Sequence, residues 1–127
     1  MILVKPNLKS VGRYKESFNS ILCSSLKEQD IYIDENGLKI HIQRRHPDHI
    51  AYLEKLSEII NNPDFIGINP KENTGQSIEL IKRYDENILV GIKLDVSNDY
   101  LYVATLHEIK ESKINRRLHS GRLKAIN

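Results

Sequence analysis

The chain has 127 residues, 39% of them apolar and 28% charged, with a formal net charge of +2. That length is enough for one domain, 1–127, to close its own core. No apolar run is long enough to form a membrane-spanning helix, so no membrane partner is expected, and the single cysteine, Cys23, excludes an internal disulfide and suits a cytoplasmic location.

Residues 1–10, with Pro6 and Asn7, read as a loose lead-in, and Met1 to Val4 is too short for a signal-peptide core. Tyr14, Phe18, Ile21, Leu22 and Leu26 recur at helical spacing and predict a helix over 13–26, against a serine content that weakens it. Ile31 and Ile33 alternate with Tyr32, Asn36-Gly37 is a hairpin signal, and Leu38, Ile40 and Ile42 alternate with Lys39, His41 and Gln43. Pro47 fits the first turn of a helix whose apolar stripe is Ile50, Leu53, Leu56, Ile59 and Ile60, stopped by Asn61-Asn62-Pro63. Phe65 to Ile68 reads as a short strand and 71–76 as a loop. A three-strand meander follows, Ser77–Tyr84, Ile88–Asp95 and Tyr100–His107, then a helix from Glu108 to about Leu118 that Gly121 ends. The expected fold class is α+β: N-terminal helices before a roughly four-stranded antiparallel sheet, the helices on one face, and a short C-terminal helix.

Charge is unevenly spread. Residues 110–127 carry Lys110, Lys113, Arg116, Arg117, Arg122 and Lys124 against Glu111 alone, a net of +5, which leaves −3 for the remainder. A basic arm on a weakly acidic body suits a polyanion, though a solvated Lys/Arg helix face has the same composition.

The densest chemistry lies in His41-Ile-Gln-Arg-Arg-His-Pro-Asp-His49, three histidines beside Arg44 and Arg45. Imidazole moves protons near neutral pH and guanidinium holds phosphate. At the predicted helix cap His46 is either a structural cap or a neutral, base-competent ring beside free backbone N–H groups. His41 is either an exposed strand residue or part of a cleft floor near Arg45, and His49 lies one helical turn beyond His46. A metal site on His41, His46 and His49 is the minority reading, since the His-Glu-x-x-His pattern is absent. Lys82 and Lys93 interrupt apolar strands, where each either reaches a phosphate or snorkels at the sheet edge. Thr105 lies in an apolar strand with His107 two residues on, hence on the same face. Ser120 and Arg122 follow the last helix, on an arm able to fold over a site. Gly-x-Ser-x-Gly, P-loop and dinucleotide patterns are absent, and Cys23 has no evident base.

Taken in order, His41 to His49, Ile59 to Gly67, Ser77 to Lys82, Tyr100 to Ile109 and Ser120 to Lys124 resemble a phage and mobile-element nuclease family of the barnase–EndoU–colicin–RelE ribonuclease superfamily. The resemblance runs from about Asp30 to Lys124. It implies a barnase/RelE-like fold and RNA cleavage without a metal or other cofactor, by 2′-hydroxyl attack that leaves a 2′,3′-cyclic phosphate. On that pattern His41 and His46 exchange protons, Lys82 and Arg122 hold phosphate, and Thr105 orients it. Arg45, Ser120 and Lys124 contribute to substrate binding. His107 departs from the tyrosine the family leads one to expect. The implied partners are RNA, with tRNA the substrate of some toxin-like relatives, and an antidote protein for a toxin-like member. The alternative is a catalytically inactive RNA- or protein-binding module on the same scaffold.

Overall fold

The computed structural model describes residues 8–22, 26–34, 53–69, 77–95 and 99–126. Seven strands are defined there: β1 (Leu8–Tyr14), β2 (Gln29–Asp34), β3 (Phe65–Ile68), β4 (Ser77–Arg83), β5 (Asn87–Asp95), β6 (Tyr100–Glu108) and β7 (Leu123–Ala125). The helices are α1 (Phe18–Leu22), α2 (Leu56–Asn61) and α3 (Glu111–Ser120). All seven strands join one sheet in the order β1-β2-β6-β5-β4-β3-β7. Every neighbouring pair is antiparallel except β2 with β6, which run parallel.

This corrects the expected fold class. The molecule is mostly β, a seven-stranded mixed sheet with three short helices among the described residues, and not N-terminal helices followed by four antiparallel strands. The described residues begin with a strand: 8–14, read as lead-in and helix start, pair with β2. The Tyr14, Phe18 and Leu22 spacing that suggested one long helix comes from a strand end and a five-residue helix converging on the same core. Nor do the helices share a face.

β4 shows why. Its alternate residues Ile78 and Leu80 join a core with Tyr14, Phe18, Ile59 and Ile60, the side covered by α1 and α2. Ile81 joins a second core on the opposite face with Phe65, Leu89, Ile109, Ile114 and Leu123, the side covered by α3. Strand residues alternate sides, so a sheet packed on both faces reads as the near-continuous apolar runs seen in β4 and β5. Each fully buried Ile or Leu contributes about 1.5–3 kcal/mol.

The meander strands and β3 match their predicted spans closely, and α2 ends at Asn61 as the Asn-Asn-Pro stop requires. Gly121 takes the left-handed conformation (φ 83°) and its N–H donates to the Leu118 carbonyl at 3.2 Å, closing α3 as expected. Among the described residues no helix is long and apolar enough to cross a membrane.

Candidate functional site

The α3 face of the sheet holds a polar cleft where its outward row lacks apolar side chains. Gly67, Glu79, Gly91 and Thr105 stand in register across β3, β4, β5 and β6. The two glycines leave Glu79 with no side chain on either strand beside it. A Cβ on Gly67 would lie 2.3 Å from the Arg122 carbonyl oxygen, so the chain leaving α3 can cross here only over a glycine. A Cβ on Gly91 would lie 2.6 Å from the Thr105 methyl, Cγ2, which occupies that space.

The register of β6 also depends on an irregularity. Gly91 pairs with Thr105 and Ile92 with Val103, so Ala104 is an extra residue, a bulge. It resets the alternation. Beyond it Thr105 and His107 face the cleft and Leu106 enters the α1–α2 core. A regular β6 would exchange those faces.

Glu79 is the electrostatic centre. Its side chain is only 7% exposed, and a carboxylate so buried must be paired. Arg117, in the last turn of α3, places Nη1 3.2 Å from Oε2. Arg122, turned back by Gly121, donates to Oε1 from Nε at 3.1 Å, and its Nη2 lies 2.9 Å from the same oxygen. Two guanidinium groups thus share one carboxylate. With Asn69, Ser77, Lys93, Thr105 and His107 they line a cleft of about 400 Å³. The His107 Nδ1 lies 2.7 Å from the Glu108 carbonyl. A carbonyl only accepts, so Nδ1 donates in this contact.

Of the residues singled out from sequence, Thr105 and Arg122 meet in this cleft, and His107 and Lys93 line it with them. Lys82 does not join them. It faces the α2 side, where Nζ donates to the Asn62 carbonyl at 2.8 Å and lies 3.9 Å from Asp64 Oδ1. Lys124 lines a separate hollow of about 250 Å³ with Ile21, Leu22 and Ile66. Ser120 is exposed and completes the helix end, donating to the Arg117 carbonyl at 3.1 Å and accepting from the Arg122 N–H at 3.4 Å. His41, Arg45, His46 and His49 lie outside the described residues. Among the described residues no group of three or more His, Cys, Asp or Glu is placed to hold a metal ion.

Sequence reasoning missed Glu79 and gave Arg117 no role beyond bulk charge. The available signal was an acid inside an otherwise apolar strand, Ser77-Ile-Glu-Leu-Ile. A carboxylate there requires cations, and the arginine-rich arm was the obvious source.

Residues 9–116 match the family model described as phage-Barnase-EndoU-ColicinE5/D-RelE like nuclease3. No curated protein and no solved structure matched the chain.

Proposed function

Since the chain belongs to the phage-Barnase-EndoU-ColicinE5/D-RelE like nuclease family, we propose that it is an endoribonuclease that cuts RNA by 2′-hydroxyl attack and needs no metal ion. The observation that carries this reading is the convergence of Arg117, Arg122, Lys93, Thr105 and His107 on one cleft around buried Glu79.

The reaction moves two protons. A base removes the 2′-hydroxyl proton, the 2′ oxygen bonds to phosphorus, and the bond from phosphorus to the 5′ oxygen breaks. An acid protonates that 5′ oxygen, leaving a cyclic phosphate and a 5′-hydroxyl. In this proposal His107 carries one of the protons on Nε2, with His41 and His46 the candidates for the other. Arg117 and Arg122 take the non-bridging oxygens and oppose the charge that builds on them. Thr105 donates its hydroxyl to one oxygen, and Glu79 is the positioning residue that holds both arginines. Lys82, held by the Asn62 carbonyl on the far face, has no role in it.

Purified protein should therefore cleave an RNA oligonucleotide in EDTA and leave a 2′,3′-cyclic phosphate, identified by end-group analysis. His107→Gln should lower kcat by about 10²–10⁴-fold while the fold persists by circular dichroism. Loss of activity in EDTA would remove the metal-free mechanism, and full activity in a folded His107→Gln protein would remove His107 from it. Salt-sensitive RNA binding with no product would favour the binding-module alternative.

A further inference from the structure

The cleft continues along the sheet into a row of tyrosines. Lys93 on β5 is in register with Tyr102 on β6, and Tyr102 is in register with Tyr32 on β2. Residues in register share a face, and of their chain neighbours Ile31 and Leu101 belong to the α1–α2 core, with Leu94 packed against it. Tyr32 and Tyr102 therefore lie on the same face as Thr105, His107 and the two arginines. Both are half-buried. Tyr100, two residues along β6 on the same face, is buried, at 6% exposure. It meets the Tyr32 ring edge-on (centroids 6.0 Å, 82°) and the Tyr102 ring at a tilt (6.0 Å, 54°). A buried ring in contact with both of them fixes their positions in advance.

We propose that Tyr102 and Tyr32 form a stacking platform for the bases of single-stranded RNA that flank the phosphate held in the cleft. This rests on the ribonuclease reading and names its substrate class. Aromatic rings stack on any base, and only unpaired bases can splay out to meet them. Lys93 supplies the cation where the phosphate backbone leaves the cleft for the rings. The far end of the row is acidic: Asp95 is in register with Tyr100, and Asp34 ends β2 on the Tyr32 face. Carboxylates repel phosphate, so the bases lie on the rings while the charged backbone keeps to the Lys93 side. Neighbouring strands are ~4.8 Å apart. The span from Lys93 to Tyr32 is thus ~10 Å, about three stacked nucleotides at ~3.4 Å each.

The test uses an RNA hexamer carrying 2′-O-methyl groups, which cannot be cut. Binding is followed by quenching of tyrosine emission, since the chain has no tryptophan. A duplex of the same sequence and a dinucleotide serve as comparisons. The hexamer should bind wild type at least tenfold more tightly than either. Tyr102→Leu should weaken hexamer binding by about tenfold and Tyr32→Leu by a comparable factor, in proteins whose circular dichroism is unchanged. Tyr102→Phe, which keeps the ring, should restore it. Equal hexamer affinity in wild type and both leucine variants, or duplex binding as tight as the hexamer, overturns the platform. The assay involves no cleavage, so the two readings fail separately. Ring-dependent binding by a protein that cuts no RNA removes the catalytic reading alone. RNA cleavage with no ring dependence removes the platform alone.

Discussion

Thr105 and Gly91 share one volume, since the threonine methyl stands 2.6 Å from where a Cβ on Gly91 would be. Gly91→Ala should therefore destabilise the fold by about 1–3 kcal/mol through overpacking. Thr105→Ser, which deletes that methyl and keeps the hydroxyl, should recover most of the loss in the double variant. Urea unfolding of the four proteins measures the coupling, and strictly additive losses would show the contact to be unimportant. Tyr84 makes a separate, pH-dependent contribution. Burial first, then the Glu58 and Asp64 carboxylates, push its phenol from 10.0 up to about 12. Between those values the unfolded chain gives up a proton that the native protein keeps, so Tyr84 stabilises the fold below pH 10 and loses that contribution as pH rises to about 12. Tyr84→Phe should show a shallower decline in unfolding free energy across this window; an identical decline would place the ionisation elsewhere. At this scale the sequence was partly legible. Thr105 and Arg122 stand out in the sequence by their hydroxyl and guanidinium groups, and both line the cleft. Glu79 was passed over because a single acid in an apolar run carries no periodic signal, and its partners lie 38 and 43 positions away.

The elements most readable in advance were those whose local chemistry and tertiary role agree. β3 and the meander are apolar segments bounded by turn residues, and the end of α3 is marked by glycine. Gly121→Ala tests that ending. A Cβ there meets nothing within 4 Å, so the cost is the positive φ alone. The expected loss is about 1 kcal/mol, measured by urea unfolding. Reduced cleavage should accompany it, because the same turn aims Arg122 at Glu79; an unchanged unfolding midpoint would show that the turn tolerates a side chain. β1 was unreadable because Leu8-Lys-Ser-Val-Gly-Arg-Tyr14 lacks alternation and borrows its shape from β2. β7 is three residues long, too short for any pattern, and exists because β3 offers an open edge. The bulge at Ala104 left no trace in composition, yet it decides which side of β6 faces the cleft.

For the whole molecule, the error lay in the number of layers. A sheet with helices on one face was expected, whereas α1 and α2 cover one face and α3 the other. Apolar runs in β4 and β5 were consistent with either arrangement until the partner of each face was known. The basic arm, legible as net charge, divides in the fold: Arg117 and Arg122 enter the cleft, while Lys124 lines the second hollow. With Lys93, Arg117 and Arg122 opposed by Glu79, the cleft offers a net charge near two phosphates' worth. The logarithm of the affinity for uncuttable single-stranded RNA should fall with log salt at a slope of roughly −1.4. A slope near zero would mean that binding does not depend on those cations.

The alternation along β4 has one more consequence. Shifting that strand by a single residue would drive Glu79 among the isoleucines beneath α2 and turn Ile78 and Leu80 toward Arg117 and Arg122. The registration that completes the hydrophobic layers is therefore also the one that assembles the polar centre, and a chain trapped out of step would be both unstable and inert.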